Sequence, residues 1–325
     1  MQVVFVGASR FGLRCLDAIA DIPGIEVCGV LTAPRKFTIS YRPTGVENVL
    51  HADFGVWARM RGIPVYQMED GMREPGLLTW LSHLAPSYLV VVGWYHLIPH
   101  HICSAYPALG MHASLLPDYS GGAPLVWAMI NGEQRTGITL FKMNEGVDAG
   151  PVYAQACTPI LAEDTIATLY ARIEDLGLNL LTSTLPDIAA GRIVPTPQDS
   201  SRRRIFPQRC PEDGWIDWTL PAGNIHNFIR AQTRPYPGAF TASGDIRVSI
   251  WASLQASSPA TRMAQDAGHP NPGTVISDGD AAFVVCGQGS CLQLLEIEIN
   301  GKCYPAAALP EAFRELGIRI LGSDN

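Results

Sequence analysis

The chain opens on an apolar run, QVVFVG at residues 2–7, and then changes to the helical spacing of Leu13, Leu16, Ile19 and Ala20. A short apolar run closed by Gly marks a buried strand, and apolar residues three and four apart mark one face of a helix. Ser9 stands where that helix needs its N-cap. A second β-rich run, IEVCGVLTA, follows. This βαβ opening predicts a parallel sheet with right-handed crossovers. Residues 33–56 carry Pro34, Pro43 and Gly45 and read as one long loop. Ala58–Gly62 reads as the end of a short helix. IPVYQ, SYLVVVGWY, LGMHAS, GITLFKM and PVYAQACTPI read as further strands. Helices are predicted at 76–83, 123–131 and 165–190. The last carries Leu169, Ile173, Leu176, Leu180 and Leu185 as its apolar stripe, with an expected kink or break at Pro186.

From residue 193 the periodicity stops. IVPTPQDSSRRRIFPQRCPEDG holds four prolines and reads as a linker. A helix at 224–233 follows, then short strands with turn signals: GAFTAS, IRVSIWAS, GTVISDG, AAFVVCG and CLQLLEIEI. The expected architecture is an α/β domain at 1–193 with a doubly wound, mostly parallel sheet. A linker at 194–210 and a smaller β-rich, barrel-like domain at 211–325 complete it.

Composition narrows the function. At 325 residues, 47% hydrophobic and 16% charged, the chain can bury two cores, which excludes global disorder. A net charge of −7 argues against a dedicated nucleic-acid binder. No apolar stretch reaches the ~20 residues that span a bilayer, so no membrane is expected. There is no basic segment followed by an apolar one, so no secretory signal is expected. The eight cysteines form no CxxC pair, so no metal site is expected, and their scatter suits a reducing cytoplasm.

The chemistry concentrates in two stretches. In GMHASLLPDYSGGAPLVWAMINGE, His112 ends a predicted strand and rigid Pro- and Gly-rich turns follow. In FKMNEGVDAGPV, Asp148 stands between Gly146 and Gly150, again after a strand. Ligand sites of open α/β sheets lie at the carboxyl ends of strands. A carboxylate beside a histidine can fix its tautomer and stabilise the imidazolium, as proton transfer in acyl transfer requires. Taken singly, a core histidine and a turn-capping Asp are the ordinary readings. There is no GxSxG elbow. The first turn reads GASRFG rather than GxGxxG, and there is no P-loop, which disfavours a serine hydrolase and dinucleotide or nucleoside-triphosphate cofactors.

HASLLP at 112–117, GGAP at 121–124, TGITL at 136–140 and EGVDAG at 145–150 resemble the folate-dependent formyltransferase family. DGWIDW and IRAQTRPYPGAF extend the resemblance through the C-terminal half, the latter in the manner of amino-sugar formyltransferases. The resemblance implies an enzyme that uses 10-formyltetrahydrofolate and no metal. The pterin is then expected against Gly93, Trp94 and Tyr95 and against Ser114, Leu115, Leu116 and Pro117. His112 and Asp148 match the catalytic pair. One departure stands out: where the family's transferases carry an oxyanion-donating Asn, this chain has Gly110. Losing such a donor typically costs ~10²–10³-fold in rate. Gly110 leaves open a vacant place taken by water or another donor, with Asn131 and Asn144 as candidate amides. It also leaves open an oxyanion carried by His112 alone, a hydrolase, or a weakened folate binder.

Charge bears on the acceptor. Residues 201–325 hold eleven Lys and Arg against twelve Asp and Glu, a net of −1. Residues 33–56 carry Arg35, Lys36 and Arg42 against Glu47 and Asp53. Only Arg202-Arg203-Arg204 form a basic run, read either as a solvated linker or as a phosphate contact. The expectation is therefore a small-molecule amine, foremost a nucleotide-linked amino sugar. tRNA is disfavoured as a partner, and the C-terminal domain is a candidate homodimer surface. Trp94, Tyr95, Trp127 and Tyr153 are candidates for stacking a base or sugar. Formylation of methionyl-tRNA or another amino-acid amine is the alternative.

Overall fold

The computed structural model describes residues 1–39, 42–69, 71–256 and 271–322. The chain runs β1 (Gln2–Val6), α1 (Arg10–Ala20), β2 (Glu26–Thr32), β3 (Lys36–Ile39), β4 (Arg42–Glu47), α2 (Phe54–Arg61), β5 (Val65–Gln67), α3 (Pro75–Leu84), β6 (Tyr88–Val91), α4 (His100–Ala105) and β7 (Ala108–His112). Then come β8 (Ser120–Gly121), α5 (Pro124–Ile130), β9 (Arg135–Lys142), β10 (Val152–Pro159), α6 (Ile166–Ala189) and β11 (Ile205–Phe206). The remainder is α7 (Ala222–Arg230), β12 (Ala239–Ser243), β13 (Ile246–Gln255), β14 (Val275–Asp278), β15 (Ala281–Val285), β16 (Cys291–Ile299), β17 (Lys302–Pro305) and α8 (Leu309–Glu315).

Two compact units interleave along this order. The first comprises residues 1–121, 137–158 and 172–205. The second comprises 122–136, 159–171 and 206–325. The contacts thus do not follow a single boundary at 193: the segments 122–136 and 159–171 group with the C-terminal half.

In the first unit, seven strands lie in the order β10-β9-β7-β6-β1-β2-β5. β5, β2, β1, β6 and β7 are mutually parallel, and β9 joins β7 antiparallel. Both faces are covered, because alternate residues of β1 point to opposite sides. Val3 and Phe5 pack with Leu16 and Ile19 of α1, Phe54 and Trp57 of α2, and Leu181 and Leu185 of α6. Val4 and Val6 pack with Leu77 and Leu81 of α3 and Ile102 of α4. Ser9 caps α1, its Oγ accepting from the Gly12 N–H at 3.1 Å. The strand order turns back between β1 and β6, which makes their carboxyl ends the topological switch point.

Two local expectations are corrected. Residues 33–56 are not one loop, because β3 and β4 form an antiparallel hairpin there; Ser40 and Tyr41 lie outside the described residues. α6 neither breaks nor stops at Pro186 but runs on to Ala189. The missing Pro N–H removes one helical hydrogen bond, and the burial of Leu181, Leu185 and Ile188 in the core offsets that loss.

The second unit has an antiparallel sheet in the order β12-β13-β16-β15-β14, with β17 on β16. Its core joins Val248, Ile250, Leu292 and Leu294 to Ile225 and Ile229 of α7 and Phe313 of α8. Sequence periodicity did not reveal α4, β17 or α8.

Candidate active site

Val91 of β6 pairs with Gly110 of β7, so Gly93, just past β6, and His112, the last residue of β7, lie at adjacent strand ends. Gly110 is paired across the ladder with Phe141, and His112 with Thr139. The second stretch, Asn144–Gly150, follows β9. Because β9 runs antiparallel to β7, its carboxyl end lies opposite Leu109 near the start of β7, not at the His112 edge as the sequence led one to expect, and the loop reaches back to His112. This brings His112 and Asp148 together. The His112 Nδ1 lies 3.5 Å from Asp148 Oδ2, and both side chains are largely buried.

The pair is fixed mainly by backbone. Nε2 of His112 is 2.8 Å from the Tyr119 carbonyl oxygen. A carbonyl only accepts, so Nε2 carries the proton and donates. Nδ1 is therefore the nitrogen on the side of Asp148 that gains or gives up a proton. Asp148 Oδ2 accepts from the Gly121 N–H at 2.8 Å. Its 3.5 Å separation from Nδ1 exceeds an ordinary hydrogen bond. Tyr119 and Asp148 both have positive φ, 57° and 51°. Non-glycine residues pay for this conformation, and such strain persists only where the surroundings over-determine it. Gly150 is required for another reason: a Cβ there would stand 1.6 Å from the Lys142 carbonyl oxygen.

Ser114–Pro117 is tied into the same frame. The Thr139 hydroxyl donates to the Ser114 carbonyl at 2.6 Å and accepts from the Leu116 N–H at 3.2 Å. Gln155 Nε2 donates to the Leu116 carbonyl at 2.9 Å. Ser114 Oγ donates to the Asp118 carbonyl at 2.7 Å. Ser114, Leu116 and Pro117 are buried and Leu115 is half-buried.

Gly110 does not face an open space. A Cβ there would meet Met143 Cγ at 3.0 Å and the Phe141 ring at 3.0 and 3.1 Å. Phe141 is its cross-strand partner, and directly opposed side chains share a face of the sheet. The place beside His112 that a side chain at 110 would take is filled by an aromatic ring and a thioether. The reading of Gly110 as a vacancy open to water is corrected accordingly. Asn131 belongs to the second unit, and Asn144 Oδ1 accepts from the Gly146 N–H within its own loop at 3.1 Å.

The end of β6 is built differently. Gly93 has φ +63°, and a Cβ there would overlap Ser9 Oγ at 1.9 Å, so only glycine fits. Trp94 and His96 rings lie 5.4 Å apart, with Phe37 5.0 Å from His96 and 5.7 Å from Tyr95. The Tyr95 hydroxyl donates to Asn48 Oδ1 at 3.1 Å, and Asn48 Nδ2 donates to the Ala8 carbonyl at 2.9 Å. Trp94 Nε1 and His96 Nε2 are buried without a hydrogen-bond partner among the described residues. Burial also lowers the pKa of the His96 imidazole, because a low-polarity setting disfavours its charged form. Tilted aromatic rings beside polar atoms that the described residues leave unpaired, at a switch point, suit a flat heterocycle with a polar edge, such as a pterin. Sequence reasoning missed His96, Asn48, the Tyr119 carbonyl and the Gly121 N–H. The last two are backbone groups and leave no residue signature.

Among the described residues, no group of three His, Cys, Asp or Glu is placed to hold a metal, and no helix is long and apolar enough to cross a membrane.

Comparison with known proteins adds to this geometry. The profile described as formyl transferase matches residues 49–185, and that described as formyl transferase, C-terminal domain, matches 210–309. The chain is 32% identical over 321 residues to the methionyl-tRNA formyltransferase of Caldanaerobacter subterraneus subsp. tengcongensis, covering 98% of this chain and 95% of that one. It is 36% identical over 311 residues to the methionyl-tRNA formyltransferase of Solibacter usitatus, covering 94% of each. In fold it is similar to an N-formyltransferase from Helicobacter canadensis solved with folinic acid and dTDP-3-aminofucose. There the TM-score is 0.63 at 15% identity, over 90% of this chain and 98% of that one. The expectation that tRNA is disfavoured is corrected by the first two relatives, whose names state that they act on methionyl-tRNA. Whole-chain charge was the wrong measure, because phosphate recognition depends on where charges sit rather than on their sum. The chain belongs to the folate-dependent formyltransferase family, and it is an enzyme of formyl transfer.

Proposed function

We propose that the protein transfers the formyl group of 10-formyltetrahydrofolate to the amino group of methionyl-tRNA, in the cytoplasm. The observation that carries this acceptor is end-to-end similarity, at 32% and 36% identity, to two methionyl-tRNA formyltransferases. The folate supplies an activated formyl carbon; the protein supplies proton handling and charge stabilisation beside it.

The pairing of His112 and Asp148 supports this division. With Nε2–H committed to the Tyr119 carbonyl, Nδ1 is the base that takes a proton from the attacking amine. The Asp148 carboxylate, held by the Gly121 N–H, stabilises the imidazolium that results. The same Nδ1–H then returns the proton to the departing folate nitrogen. Because Phe141 and Met143 fill the side of Gly110, no amide faces the formyl oxygen from there, and the imidazolium carries the charge developing on it. The unpaired Trp94 Nε1 and His96 Nε2 support a pterin held at the end of β6.

The test is mass spectrometry of methionyl-tRNA, dTDP-linked amino sugars and free amino acids, each incubated with enzyme and 10-formyltetrahydrofolate. N-formylmethionyl-tRNA as the main product is expected. A formylated amino sugar with unmodified tRNA supports the small-acceptor reading instead, and formate released without a formylated amine supports hydrolysis.

A further inference from the structure

We propose that residues 196–204 form a strap that positions the His112–Asp148 pair, with Gln198, Arg203 and Arg204 as positioning residues. This inference rests on the reading of that pair given above.

The sequence presents this segment as linker, and its arginine run as either solvated or phosphate-binding. The hydrogen bonds describe something else. Thr196 and Val152 exchange backbone hydrogen bonds, both 2.8 Å, just beyond the Asp148 loop. Gln198 Nε2 then donates to two carbonyls of that loop, Asp148 at 2.8 Å and Gly150 at 2.6 Å. Arg203 donates to the carbonyl of Val147, the residue before Asp148. The strap thus holds the carbonyls on either side of a residue in a left-handed conformation. Those bonds oppose its relaxation to an ordinary backbone shape.

The chain next reaches the other member of the pair. The Ser120 N–H donates to the Arg204 carbonyl at 3.0 Å. The Arg204 guanidinium lies 4.9 Å from the centre of the Tyr119 ring and pairs with Asp118 at 3.2 Å, and Arg202 pairs with the same carboxylate at 3.3 Å. Tyr119 is the residue whose carbonyl fixes the His112 tautomer. One nine-residue segment therefore grips the Asp148 loop with Gln198 and Arg203, and the Tyr119 loop with Arg204. Ion pairs this exposed contribute little to stability. Their geometry matters more, since an error of about 1 Å at a reacting pair can cost about 10²-fold in rate.

The test uses the full chain with two variants that keep side-chain bulk, Gln198→Leu/Arg203→Met and Arg204→Met, beside the conservative Arg203→Lys. Folate-dependent transfer, melting temperature and the ¹⁵N shifts of the His112 ring are measured together. The strap predicts that kcat falls about tenfold or more in the bulk-keeping variants while KM for the folate stays within about twofold. Arg203→Lys should recover most of the rate, and Arg204→Met should mix the two tautomers of His112. An unchanged kcat with an unmixed tautomer overturns the proposal. So does a rise in acceptor KM at constant kcat, which would make the arginines phosphate contacts. A rate loss that tracks a lowered melting temperature equally in Arg203→Lys would make the role structural and also overturns it. Should His112→Ala keep full activity, the reading of the pair fails on its own, and the ring shifts still decide whether the strap fixes the tautomer.

Discussion

At the end of β7, His112, Asp148, Ser114 and Thr139 are all hydrogen-bonded within the chain, largely to backbone. At the end of β6, one strand away, Trp94 Nε1 and His96 Nε2 are buried with no hydrogen-bond partner among the described residues. The two ends share one sheet and one edge yet treat polarity in opposite ways. A group that must move a proton needs its orientation set before substrate arrives, and internal hydrogen bonds set it. A group that must recognise a ligand needs valence left over, and the burial of an unsatisfied donor is the cost of keeping it. The comparison divides the site into a reacting end and a binding end, and each can be broken separately.

The largest effect is expected at the reacting end. Asp148→Asn keeps an oxygen for the Gly121 N–H but removes the charge opposite Nδ1, so kcat should fall by ~10²–10⁴-fold with folate affinity little changed. Stopped-flow transfer and an independent folate titration would check this. Gly110→Asn comes next. The new side chain must displace Phe141 and Met143, so it should destabilise the fold by about 1–3 kcal/mol in urea titration and bring no gain in rate. Adding Phe141→Val should recover part of the stability and place an amide beside His112. A single Gly110→Asn variant as stable as the parent would mean the filled wall is not rigid.

Effects at the binding end are smaller. Trp94→Phe keeps the ring and removes only the N–H, so folate affinity should weaken about 2–10-fold, the worth of one hydrogen bond, with kcat at saturation unchanged. Titration of tetrahydrofolate by fluorescence or calorimetry measures it directly. The weakest signal is in pH. Burial lowers the pKa of His96, and burial with the nearby Arg230 charge lowers that of His226 in the second unit. Both therefore bind protons more readily in the unfolded chain. Their contribution to stability is present above the unfolded value of about 6.5 and is lost as pH falls below it. Melting temperature should decline gently from pH 7.5 to 5.5, and the double variant His96→Phe/His226→Gln should flatten that decline.

Much of the β7 end was legible in the residues. A histidine after a strand, a Pro-punctuated turn and an Asp between glycines are local features, and their order carried the family resemblance. The sheet was legible too, because β1, β2, β6 and β7 are continuous apolar runs buried on both faces. What escaped was non-local. Gln198 finds its partner 50 residues away and Arg204 finds Asp118 86 residues away, so a polar, Pro-rich stretch looked like linker. The β3–β4 hairpin escaped because Pro43 and Gly45 lie inside it, where local preference argues for a loop. The closure of Gly110 escaped because it depends on Phe141, a residue on the neighbouring strand. Net charge misled about tRNA, since a sum over a chain carries no positions.

The division between a reacting and a binding end is tested most directly by His112→Ala, with tetrahydrofolate binding and single-turnover formyl transfer measured on the same preparation. The account predicts folate affinity within about twofold of the parent and transfer reduced by ~10²–10⁴-fold. Transfer at the parental rate, or loss of folate binding in step with loss of transfer, would contradict it.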